Sequence, residues 1–260
     1  MLMRNVGGYP GTVNLPTISG LSLWLDAANA ATLFQDAAGS TPATSDGHPV
    51  GRWEDLSGGA RHLTQGTATA RPTLKLAVAA GRNVVLFDGV DDCLASASLA
   101  LSQFYAAGAV TMFLVVRRNS AGNGALVEQG TATTDAVRVW SPYSGDNKLY
   151  FDVGNFTGGV GRISGNAPTG YSDAWHVLEC YRSGSAAEIL VDGVTQVSGS
   201  MTDDIDSLAA AAAFNLGRHA VSGASAFAGH VAEVVVFAAA VDASSRAAVR
   251  AYLKTKWGTP

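Results

Sequence analysis

The chain alternates short apolar runs with turn-forming residues, and almost none of the runs has helical periodicity. Ten segments predict strands: LSLWLD (21–26), NVVLFD (83–88), VTMFLVVR (110–117), GALVEQ (124–129), AVRVW (136–140), KLYFDV (148–153), WHVLECYR (175–182), AEILVD (187–192), AFNLG (213–217) and HVAEVVVF (230–237). Their length and their bounding glycines and polar residues match the spacing of a sandwich. In WHVLECYR, alternation places Trp175, Val177 and Tyr181 on one face, with His176, Leu178, Cys180 and Arg182 on the other. Asp192-Gly193, between ILV and VTQV, predicts a two-residue hairpin turn in which both positions take positive φ. Residues 35–50, with Gly39, Pro42, Gly47 and Pro49, predict a surface loop. No repeat of about 20–50 residues is visible, which argues against propellers and solenoids.

The exception to the strand pattern is DASSRAAVRAYLKTKW (242–257). Asp242 is a good N-cap, Val249, Leu253 and Trp257 recur at spacings of four, and Gly258 supplies a stop. The positive charges of Arg250, Lys254 and Lys256 fall toward the C-terminal end of the macrodipole. At the other end, MLMRNVGGYPGTVNLPTISG is broken by glycine and proline and holds no apolar stretch of signal-peptide length. The expectation is therefore one domain in three parts. Residues 1–20 form an extended arm lying on a neighbouring subunit, 21–241 the sandwich, and 242–260 a helix packed on it.

Composition narrows the class. Of 260 residues, 47% are hydrophobic and 15% charged, with 30 glycines and 8 prolines, which suits a folded, turn-rich protein and not a disordered one. A net charge of −4 argues against nucleic acid as a partner, because phosphate binding needs a clustered positive field. No stretch reaches the roughly 18 apolar residues of a membrane span. Two cysteines cannot make a disulfide framework.

In order, LSLWLDA (21–27), GRWEDLSGGARHL (51–63), ARPTL (70–74), VVLFDGVDDCL (84–94), TMFLVVRR (111–118), AWHVLECYRSGSAAEILVDGV (174–194), NLGR (215–218) and GHVAEVVVFAAAVDASSRAAVRAYLKTKWG (229–258) together resemble the concanavalin A-like, laminin-G-type jelly-roll domains of bacterial and phage proteins. The resemblance implies an all-β fold of two antiparallel sheets packed face to face, as the strand pattern does independently. Cys93 departs from it, standing where the family often has an aromatic residue. Some enzymes of this fold carry a Glu-x-Asp-x-x-Glu arrangement on one strand. None of the five glutamates here, Glu54, Glu128, Glu179, Glu188 and Glu233, has partners at that spacing. No Ser nucleophile elbow, phosphate loop or paired histidine ligands are present, so the chain is expected not to be an enzyme.

Two clusters carry candidate chemistry. Asp88, Asp91 and Asp92 in FDGVDD, with Glu233 as a distant partner, are a candidate Ca2+ site, because calcium takes six to eight oxygen ligands; the alternative is an aspartate-stabilised turn. The run TDDIDS (202–207) lacks the glycine and terminal glutamate of a calcium loop and reads as a solvated loop. WSPYSGDN and NFTGG offer Trp140, Tyr143, Asp146, Asn147, Asn155 and Phe156, aromatic faces beside polar groups, as a candidate glycan site; the alternative is that Trp140 ends a core strand. Trp24, Trp53, Trp175 and Trp257 are expected in the core.

Domains of this kind work outside cells, and release by host lysis reconciles that with the absence of a leader in residues 1–20. The expected function is a non-enzymatic bacteriophage virion component, a head-decoration, tail or fibre protein held to other virion proteins through residues 1–20. It is expected to be a homo-oligomer or part of a larger assembly, and to bind cell-surface glycan weakly. The alternative is a bacterial surface or secreted carbohydrate-binding or glycan-cleaving module.

Overall fold

The computed structural model describes residues 14–260, apart from 97–98, 107, 120–123, 133–134, 157–158, 206–212 and 220–224. Its strands are β1 (Leu21–Asp26), β2 (Leu33–Phe34), β3 (Arg52–Trp53), β4 (Leu63–Thr64), β5 (Thr73–Ala79), β6 (Arg82–Asp88), β7 (Leu94–Ser96), β8 (Ala109–Arg118), β9 (Ala125–Ala132) and β10 (Asp135–Trp140). They continue with β11 (Lys148–Gly154), β12 (Arg162–Asn166), β13 (His176–Ser183), β14 (Ala186–Val191), β15 (Val194–Ser200), β16 (Phe214–Leu216), β17 (Arg218–His219), β18 (Ser225–Ala226) and β19 (Ala228–Phe237). Two α-helices are described, α1 (Leu101–Phe104) and α2 (Ala243–Trp257).

The strands form a two-sheet antiparallel sandwich. The first sheet runs β15-β14-β13-β8-β19-β6-β5, with β1 also paired to β19; the second runs β12-β11-β10-β9-β16-β7-β4-β3-β2. The central pair β8 and β19 is buried on both faces, which is why each reads as a nearly unbroken apolar run. Met112, Leu114 and Val116 point into the space between the sheets, where Trp53, Phe104, Phe151 and Phe214 also lie. Phe113 and Val115 point the other way, to a second core under α2. Leu178 and Cys180 face the first core and Val177 the second, as the alternation predicts. Asp192 (φ 52°) and Gly193 (φ 87°) make the two-residue turn between β14 and β15.

Helix α2 closes the outer face of the first sheet. The Asp242 carboxylate accepts the Ser245 N–H at 3.0 Å, and Gly258 ends the helix at φ 66°. Val249, Leu253 and Trp257 are buried against Val84, Phe113, Val235 and Phe237. Trp53 and Trp257 are fully enclosed; Trp24 and Trp175 are partly buried beside the second core. Two buried glutamates fasten the rest. Glu179 accepts from Arg246 and, at 2.6 Å, from Arg250, while Arg246 lies 3.9 Å from the Tyr181 ring centre. Glu233 accepts from Trp24 Nε1, Tyr252 Oη, Lys256 Nζ and Trp257 Nε1 at 2.6–3.1 Å. Burial, reinforced by the neighbouring Asp26, still raises the Glu233 carboxyl above the usual range, and the Lys256 and Trp257 donors oppose that shift only in part.

Glu233 reaches this face because of a bulge. Val231 opposes Val116 and Glu233 opposes Val115, leaving Ala232 as an extra residue that resets the alternation. Most of the predicted arm, residues 1–13, lies outside the described residues. The part that is described makes a 3-10 turn (Leu15–Thr17), and Leu15 is buried in the chain's own second core.

A candidate glycan cleft on the outer face of the second sheet

On β10, Val137 and Val139 enter the core, so Arg138 and Trp140 face outward. Strand register then sets two rows across the sheet. Glu128, Arg138, Asp152 and Arg162 are directly opposed on β9, β10, β11 and β12, and beside them Trp140 opposes Tyr150, which opposes Ser164. The first row alternates in sign. Arg138 donates to Glu128 at 2.5 Å, and Arg162 grips Asp152 with two parallel bonds of 2.6 and 2.7 Å. Glu128 and Asp152 are inaccessible to solvent; Arg162, at the sheet edge, stays partly open. Opposite charges directly across a sheet support its register.

Aromatic groups wall this row. Phe156 lies over both guanidinium groups, 4.7 Å from Arg138 and 4.6 Å from Arg162, and Tyr150 sits 4.4 Å from Arg162. Trp140 meets Tyr143 edge to face at 4.9 Å and His219 at 4.3 Å. His219 and Ser225 come from the small β17–β18 hairpin. Together Arg138, Trp140, Tyr143, Tyr150, Phe156, Arg162, His219 and Ser225 line a half-open cleft of about 350 Å³. Burial, helped by Arg138, pulls His219 down to about 3, so its ring is neutral at physiological pH. Burial and the bond to Asp146 push the Tyr150 hydroxyl up to about 12.

Of the six residues expected at a glycan site, Trp140, Tyr143 and Phe156 line this cleft. Asp146 stands just behind it, accepting the Tyr150 hydroxyl at 2.5 Å. Asn147 and Asn155 do not line it. Asn147 is the left-handed residue (φ 58°) of the turn that presents Tyr143, and the Asn155 N–H is held by Asp203. That last contact revises the reading of 202–207 as a solvated loop. Asp203 holds the base of the β11–β12 loop that carries Phe156, and Asp204 accepts the Tyr105 hydroxyl at 2.6 Å. Asp206 and Ser207 lie outside the described residues. The sequence reading missed Arg138, Tyr150, Arg162, His219 and Ser225. Alternation outward from Trp140 to Arg138 was a usable signal; the cross-strand register was not.

Asp88, Asp91 and Asp92 do converge, with ligand oxygens within 4.8 Å of one another. Glu233 does not join them. The β19 bulge turns it to the helix face, where four donors hold it. Within the trio the bonds are those of a turn: Asp92 accepts the Asp88 N–H at 2.9 Å and Asp88 accepts the Val90 N–H at 2.8 Å. Three carboxylates carry six oxygens, the low end of what calcium takes, and two of the six already accept loop amides.

Burial, reinforced by Asp88 and Asp91, raises Asp92 to about 6. A carboxyl raised on folding favours the folded state below its unfolded value near 4 and loses that contribution as pH rises through 6. The full difference is worth about 2–3 kcal/mol. Asp92→Asn, whose amide oxygen can still accept the Asp88 N–H, should therefore flatten the fall in stability between pH 4 and 7 and raise Tm at pH 7. Urea melts across that range check it; an unchanged slope would clear Asp92 of the effect.

Residues 88–245 match the family model described as the concanavalin A-like lectin/glucanases superfamily, and the chain belongs to that family. Among solved structures it is similar to the binding domain of botulinum neurotoxin serotype D, at TM-score 0.62 and 10% identity, covering 95% of this chain and 56% of that one. The ligand-binding domain of the same serotype, in complex with N-acetylneuraminic acid, matches at 0.59 and 10%, over 93% of this chain and 54% of that one. The Trypanosoma rangeli sialidase in complex with the inhibitor DANA matches at 0.57 and 13%, over 95% and 34%. The chain thus spans about half or less of these proteins, and at such identities the likeness is one of fold. A search of curated protein sequences finds no match. Among the described residues, no helix is long and apolar enough to cross a membrane.

Proposed function

We propose that the protein is a non-catalytic glycan-binding domain whose site is the cleft on the outer face of the second sheet. The observation that carries this reading is the meeting of Trp140, Tyr143, Tyr150 and Phe156 with the partly exposed Arg162 and Ser225 in one open concavity. Sugar rings present apolar faces and hydroxyl edges, and such a mixed surface suits both. The carboxylates support binding over cleavage. Glycoside hydrolysis needs two carboxyl groups free to trade protons or attack, and Glu128 and Asp152 are each engaged by an arginine. The similar structures solved with a sialic acid and with a sialidase inhibitor are compatible with a sugar ligand.

Trp140→Ala should weaken glycan binding at least about tenfold, the effect of losing one ring contact of about 1.5 kcal/mol, while Tm stays within a few degrees. Glycan-array profiling followed by titration of the best ligand measures this; equal affinity in the variant places the ligand elsewhere. Display on a virion, in many copies, is the setting we propose for it, since linked weak sites gain avidity. Immunogold labelling of purified particles tests that setting.

A further inference from the structure

Given that reading of the cleft, we infer that its ligand is an uncharged sugar. Two arginines in the lining suggest at first an acidic glycan, but the charges on this face cancel. Among the described residues, the cations of the face are Arg138, Arg162 and Lys148; the last lies two residues before Tyr150 on β11 and on the same side. Against them stand Glu128, bonded to Arg138; Asp152, gripped by Arg162; and Asp146, bonded to the lining Tyr150. The two parallel bonds from Arg162 use both Asp152 oxygens as acceptors, which is the ionised carboxylate. His219 adds no charge, being neutral in the physiological range. Arg218 does not line the cleft, and its charge acts on Cys93.

Three positive and three negative groups leave no surplus to attract a carboxylate. An incoming anion would also have to displace Asp152 from Arg162, or share a guanidinium already covered on its face by Phe156 and Tyr150. What the cleft does offer is aromatic faces and edges and the Ser225 hydroxyl, and these are partners for hydroxyl-bearing rings; the His219 ring is fully buried against Trp140, with its Nε2 turned to the Val139 carbonyl. Its volume, about 350 Å³, suits a short glycan end and not a long chain lying along a groove.

The test is an array of neutral oligosaccharides, each paired with its sialylated or uronic-acid counterpart, followed by titration of the best binders at low and high NaCl. Neutral chains should be preferred, with affinity changing less than about twofold over a tenfold rise in salt, because no net ion pairing is formed. Asp146→Asn, an exposed change whose amide oxygen can still accept the Lys148 N–H while its amide nitrogen donates to the Tyr150 hydroxyl, should improve binding of the acidic counterparts by about two- to threefold. Preference for the acidic counterparts with a steep loss in salt would overturn this inference while leaving the cleft a glycan site. Binding of neither set would overturn both.

Discussion

Trp257→Ala is expected to lower unfolding free energy by about 3–5 kcal/mol, seen as a fall in Tm of roughly 10 °C or more. The side chain is 1% exposed and closes the second core against Val235 and Phe237, so its removal leaves a cavity under α2. It also strips Glu233 of one of four donors. Trp257→Phe separates the two contributions. It keeps most of the packing, loses the indole N–H, and should cost about 1–3 kcal/mol. Thermal and urea melts of both variants decide it; an alanine variant melting within a degree or two of the parent would mean that the helix is not docked as described. Cleft binding lies on the opposite face and should be unchanged.

Arg138→Met should be comparably damaging, at about 3–5 kcal/mol, because it leaves Glu128 fully buried without its arginine. The informative comparison is the double variant Glu128→Leu/Arg138→Met. Replacing both members of a buried pair with apolar groups is often nearly neutral, so the double should recover to within about 1 kcal/mol of the parent. A double-mutant cycle by urea unfolding measures the coupling. Simple additivity of the two single losses would show that the row of alternating charges does not act as a unit.

How far the sequence foretold this depends on burial and on length. Strands β8 and β19, buried on both faces, were plain in the pattern, and so was the Asp192-Gly193 turn, whose residues dictate their own geometry. Helix α2 announced itself through Asp242 and Gly258. The two-residue strands β2, β3, β4, β17 and β18 are too short to express any period. Strand β5 was obscured because Ala77 takes φ 56° and breaks its register with β6 between Lys75 and Ala79. For the cleft, residue type alone found Trp140, Tyr143 and Phe156. Arg162 and Tyr150 became visible only once β10, β11 and β12 were aligned, and His219 only once the β17–β18 hairpin was folded over Trp140. Glu233 misled because one extra residue in β19 reversed the face it serves.

The burial of Leu15 beside Trp257 gives the molecule a polarity. Leu15 and the end of α2 both sit on the side of the first sheet, with the thickness of the sandwich between them and Trp140. A label or solid support coupled at the C-terminal end of α2 is therefore expected to leave the proposed cleft unobstructed, which glycan binding by the immobilised protein checks.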